Sequence, residues 1–99
     1  MDLYLIEDSQ SRLSKVDSKN YLGKIQDDEF QLLKELSIIE DRYDYYKDLR
    51  WSRDQVKDKY ERLSKLVLSD RRLASNTSNF SEYLVLAWKE QMGIIGYSD

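Results

Sequence analysis

Glu40, Asp44 and Asp48 stand four residues apart, a spacing that would place all three carboxylates on one ridge of a helix. Asp41 lies beside that ridge and Tyr45 on its flank. Such a strip can do two kinds of chemistry: it can dock a basic partner, or it can hold a divalent cation weakly. Like charges at this spacing destabilise an isolated helix slightly, so a purely structural strip must be balanced by nearby bases such as Lys47 and Arg50. A second constellation follows directly. Arg50, Arg53 and Lys57 share a helical face with Trp51 close by, and this set can contact nucleic-acid phosphates and stack a base.

The rest of the catalytic repertoire is missing from the sequence. The chain has no histidine and no cysteine, which removes the commonest general base, the thiolate nucleophile and most transition-metal ligation. The three glycines, Gly23, Gly93 and Gly96, form no phosphate-cradling loop, and no Gly-containing acidic turn is present for calcium. The sequence therefore reads as a non-enzymatic protein with no cofactor and no metal.

The elements that must position these residues read as helical. Proline is absent and glycine scarce, while charged residues make up 35% of the 99 residues, above the roughly 25% of an ordinary domain. Between Lys24 and Met92 there is neither Gly nor Pro. An apolar residue recurs at heptad spacing through Ile25, Leu32, Ile39 and Tyr46, and again at Tyr60 and Val67, with Arg53 the one interruption. This pattern predicts an all-α single domain of coiled-coil or helical-bundle type. A short helix is expected over 2–16, a polar break at Asp17-Ser18-Lys19-Asn20, a long central helix over 27–73 and a C-terminal helix over 80–92. Asp27 and Asn79 are the expected N-caps, and Gly93 the expected stop. A hairpin turning near 50–53 is the competing reading, because Ser52 and Gln55 match a capping box. The continuous helix is preferred, since no Gly or Pro marks that turn. The apolar tail from Ile94 to Tyr97 is expected to pack back on the domain or on a partner.

The seam of the long helix comprises Leu32, Ile39, Tyr46, Val56, Tyr60, Leu63 and Val67, with Lys59 assigned to the outer face. Two short flanking helices cannot cover such a seam, so a homodimer is expected. Residues 27–48 carry eight acids against three bases, and residues 50–72 eight bases against four acids. That polarity favours an antiparallel pairing.

Met1 to Asp8 hold no basic segment, and no apolar run approaches a membrane span, so a cytoplasmic protein without membrane association is expected. The functional expectation is a protein-protein interaction module: a small adaptor, regulator or inhibitor. Its composition has the character of small phage and mobile-element proteins. Glu40, Asp41, Asp44, Tyr45 and Asp48 form its expected partner surface. The alternative is a nucleic-acid-directed protein, acting as an acidic DNA mimic or as a weak binder through the basic half, 50–72. The overall charge of −3 weighs against direct nucleic-acid binding.

Overall fold

The computed structural model describes residues 1–10 and 19–98. It overturns the all-α, coiled-coil and helical-bundle expectation. Four strands form one antiparallel sheet: β1 (Asp2–Ile6), β2 (Tyr21–Lys24), β3 (Leu49–Trp51) and β4 (Gly93–Tyr97), in the order β2-β1-β4-β3. The described residues also form four helices: α1 (Asp27–Glu35), α2 (Arg53–Ser69), α3 (Arg71–Asn76) and α4 (Ser78–Glu90). The expected helix over 2–16 begins instead as strand β1, and its residues 11–16 lie outside the described residues, as do Asp17 and Ser18 of the expected polar break.

The strands are short and rich in Tyr, Ile, Leu and Trp, which suit a pleated surface packed on both sides. Register fixes which side chains share a face. Leu3 faces Gly96, which faces Leu49; Leu5 faces Ile94, which faces Trp51. Leu3, Leu49, Trp51 and Ile94 join Phe30 and Leu33 of α1, Val56 and Leu63 of α2, and Phe80, Leu84 and Ala87 of α4 in one buried core. Among the described residues, α1, α2 and α4 thus pack on one face of the sheet. Each fully buried Leu, Ile or Phe in this layer contributes roughly 1.5–3 kcal/mol. The opposite face carries Tyr4, Ile6, Arg50, Ile95 and Tyr97, of which Ile6 and Ile95 are also buried while Tyr4 and Tyr97 are partly exposed.

The long helix of the sequence reading is divided into three parts. α1 ends after Glu35, and Ser37 just beyond it adopts φ 60°. Residues 36–48 form an irregular connection. α2 starts after Ser52, whose hydroxyl accepts from the Gln55 N–H while the Gln55 side chain accepts from the Ser52 N–H. The capping box is therefore a real helix start, preceded by a strand and not by another helix. α2 closes at Asp70, whose extended backbone ends one helix and caps α3 through a bond from the Arg72 N–H. α4 starts at Ser78, one residue before the expected cap, and Gln91 at φ 54° stops it before Gly93.

The seam is corrected accordingly. Val56 and Leu63 are buried, with Tyr60 and Val67 packed against the chain's own core. Leu32 lies half-buried on α1, Ile39 is buried in the connection, and Tyr46 is 72% exposed. Because Val56 and Leu63 find their cover within their own chain, the seam supplies no reason for a second copy. The tail does pack back, as the strand β4 between β1 and β3. It comes so close to its neighbour that a Cβ on Gly93 would sit 2.3 Å from the Trp51 carbonyl oxygen. At Gly23 of β2, φ is +151° and the Tyr83 ring occupies the space a Cβ would need.

Candidate functional site

Lys59 is the most consequential residue misplaced by the sequence reading. It is a core residue, 2% exposed, pointing from α2 under the connection 36–48. Its ammonium donates to the Ile38 carbonyl at 2.9 Å and to the Glu40 carboxylate at 2.8 Å, and lies 4.9 Å from the centre of the Trp51 ring. Trp51 Nε1 donates to the other Glu40 oxygen at 3.2 Å. Two residues predicted for separate surfaces, Glu40 and Trp51, thus meet at one buried cation. Burial pulls Lys59 below its ordinary value, and the attraction of Glu40 only partly opposes this. Burial also pushes Glu40 up, but hydrogen bonds from Lys59 and Trp51 and the Lys59 charge outweigh it and leave the carboxyl lowered. The pair is asymmetric: the half-exposed acid gains from it, while the buried amine bears the desolvation cost. The sequence held one signal for this role. Lys59 lies three residues after Val56 and four before Leu63, on the apolar stripe.

The acidic ridge does not form, because residues 36–48 are not helical. Glu40 is taken by Lys59. Asp44 accepts from the Tyr46 N–H in a local turn, and Asp48 accepts from the Ser98 N–H at 3.0 Å, tying the connection to the end of β4. Tyr45 donates to the Ile25 carbonyl and accepts from the Met1 amine, with its ring edge-on to Phe30. Asp41 is exposed. The basic patch is dispersed too. Arg50, on the face turned away from α1, α2 and α4, donates to the backbone carbonyls of Glu7, Asp8 and Gln10, anchoring the chain that leaves β1. Arg53 gives its N–H to Asp8 at 2.8 Å, Lys57 lies over the Trp88 ring, and Trp51 is buried.

An open cleft of about 440 Å³ lies where β1, α2 and α4 end or begin, lined by Glu7, Asp8, Arg53, Glu90, Gln91 and Met92. It brings together carboxylates and one guanidinium, with no hydroxyl, thiol or imidazole in its lining. Among the described residues no group of three acidic side chains is arranged to hold a metal ion.

A second buried carboxylate is structural. Glu29 of α1 accepts from the Phe80 N–H at 2.8 Å and from the Asn79 side chain at 3.2 Å, so one helix caps the start of another. Burial pushes the Glu29 carboxyl above the ordinary 4.5, against those two hydrogen bonds. A raised carboxyl stabilises the fold most below the unfolded value and loses that contribution as pH rises through the folded value. The stability of the protein relative to Glu29→Gln should therefore increase as pH falls from 7 toward 4.5, measured by denaturant melts at each pH. At pH 7 Glu29→Ala should cost about 1–3 kcal/mol, because the buried Phe80 N–H loses its acceptor.

The arrangement with surface potential is aromatic. On the sheet face away from the helices, Tyr4 lies between Tyr21 and Tyr97, with ring centres 5.1 and 5.8 Å away. Tyr21 is 43% exposed and donates to the Asp2 carboxylate at 3.0 Å. Burial, then that hydrogen bond and the Asp2 charge, push its hydroxyl to about 12. The sequence scatters these tyrosines over almost the whole chain, and only pairing of β1 with both β2 and β4 assembles them. Among the described residues no helix is long and apolar enough to cross a membrane. No protein-family model, curated protein or solved structure matches the chain.

Proposed function

We propose that this chain is a non-enzymatic module that binds a partner protein through Tyr4, Tyr21 and Tyr97, on the sheet face turned away from α1, α2 and α4. The carrying observation is the contact cluster of Tyr4, Tyr21 and Tyr97 on that face. Tyrosine brings large contact area at small entropic cost and concentrates at binding hot spots. Here the rings are held by strands, so little ordering remains to be done on binding. Adaptor, regulator and inhibitor are all roles such a surface serves, and the 35% charged composition suits work in the cytoplasm.

The test is affinity capture from a nuclease-treated lysate of the source cells. Wild-type protein should retain one stoichiometric protein partner. Tyr21→Ala with Tyr97→Ala should lower its recovery at least tenfold, with the circular dichroism spectrum unchanged. Asp41→Lys with Asp44→Lys should leave recovery intact. Retention by the tyrosine variant, loss in the aspartate variant, or no stoichiometric partner would each defeat the proposal.

A further inference from the structure

From Arg62 to Ser81 the chain carries Arg62, Lys65, Arg71 and Arg72 against a single acid, Asp70. The fold gathers this run at one end of the molecule, as the last turns of α2, all of α3 and the first turn of α4. Asp70 is committed to backbone: it caps α3 by accepting from the Arg72 N–H and also takes the Arg72 Nε. Arg62 is partly engaged with the Ser37 carbonyl and with Asp58. Lys65 and Arg71 are exposed and make no ion pair among the described residues, and the Arg72 side chain is 90% exposed. An otherwise acidic protein therefore presents one end of unneutralised positive charge.

We infer that this end, through Lys65, Arg71 and Arg72, binds the phosphate backbone of nucleic acid without reading its sequence. The remaining exposed side chains there select this occupant over other polyanions. Ser69, Ser75, Asn76 and Ser78 are small hydroxyl and amide groups of the kind that, with Lys and Arg, make most phosphate and sugar contacts, the three hydroxyls resting on nearby backbone carbonyls in the free protein. No aromatic residue lies between Glu61 and Asn79 to anchor an acidic protein, and Leu68, although 85% exposed, is a lone apolar side chain, too little to enter a bilayer. The site is remote in sequence from the tyrosine face and does not depend on the protein partner proposed above. It also differs from the patch Arg50, Trp51, Arg53 and Lys57, whose members are dispersed in the fold.

Three phosphate contacts imply weak, steeply salt-dependent binding, with a slope of log K against log salt of about −2.7 on duplex DNA. Fluorescence anisotropy with a labelled 20-base-pair duplex of arbitrary sequence should show saturable binding at 50 mM salt. Lys65→Glu/Arg71→Glu/Arg72→Glu should weaken it at least tenfold and flatten the salt slope. Arg53→Glu/Lys57→Glu/Lys89→Glu changes net charge by the same amount and should stay within about threefold of wild type, as expected for long-range charge alone. Both variants are checked for an unchanged circular dichroism spectrum. Absence of binding at 50 mM salt, or equal losses in the two triple variants, would overturn the inference. So would competition by polyglutamate or phosphatidylserine vesicles as effective, per charge, as competition by unlabelled duplex.

Discussion

Trp51→Ala should cost about 3–5 kcal/mol and move the urea midpoint further than any exposed substitution. Trp51 is fully buried at the edge of the sheet, where its ring meets Phe80 and Tyr43 edge-on at 5.7 Å each. The same ring forms the floor for the Lys59 ammonium, and its N–H holds Glu40. Removing it opens a cavity between β3, α4 and the connection 36–48, and strips a buried cation of two supports. Domain stabilities are typically about 5–15 kcal/mol, so the loss would leave a measurable unfolded fraction without denaturant. Urea titration followed by circular dichroism checks this. A loss below about 1.5 kcal/mol would show that the ring is not packed as described.

The second large effect belongs to Glu40 and Lys59. Glu40→Ala should cost about 3–5 kcal/mol, since it leaves a buried ammonium with only a carbonyl and a ring for company. Lys59→Ala should cost about 2–4 kcal/mol through the lost stem and the unpaired Ile38 carbonyl. Lys59→Met with Glu40→Gln removes both charges while keeping volume, and should fall within about 1.5 kcal/mol of wild type. The double change being milder than either single one is the signature of a desolvated pair. The pH dependence follows from Lys59. Its folded value lies below the ordinary 10.5, so the fold disfavours its charged form and stability rises as pH increases between those two values. Without Glu40 the depression deepens, and Glu40→Ala should recover stability between pH 7 and 10. Losses for Lys59→Met and Glu40→Gln measured singly that simply add up in the double variant would mean that the two side chains do not interact.

How far these features can be read from residues alone depends on where each signal is stored. The Ser52–Gln55 capping box is a local motif and marks the start of α2 correctly. The apolar positions of α2 are equally legible, because a helix burying one face repeats on its own period. The strands are not. β3 has three residues and β2 four, too short for alternation to outweigh a heptad coincidence running through Ile39 and Tyr46. The turn markers were also misleading. α1 and α4 end in left-handed Ser37 and Gln91, where glycine is the usual choice, while Gly93 and Gly96 are inside a strand, where close backbone and side-chain approach excludes a Cβ. The absence of glycine at 50–53 therefore said nothing about helix continuity. The tyrosine face was invisible for a different reason: its members come from three strands far apart in the chain, and no local pattern encodes that pairing.

β4 follows the other three strands in chain order, yet it supplies a middle rung of the sheet, hydrogen-bonded to β1 on one side and to β3 on the other. A nascent chain extended only to Met92 has its helices but no strand to join its two halves. It must hold Leu3, Leu49 and Trp51 without their common neighbour until residues 93–97 emerge. Completion of the core thereby waits for β4, and a ribosome stalled shortly before Gly93 would carry an incomplete core exposed to chaperones and proteases.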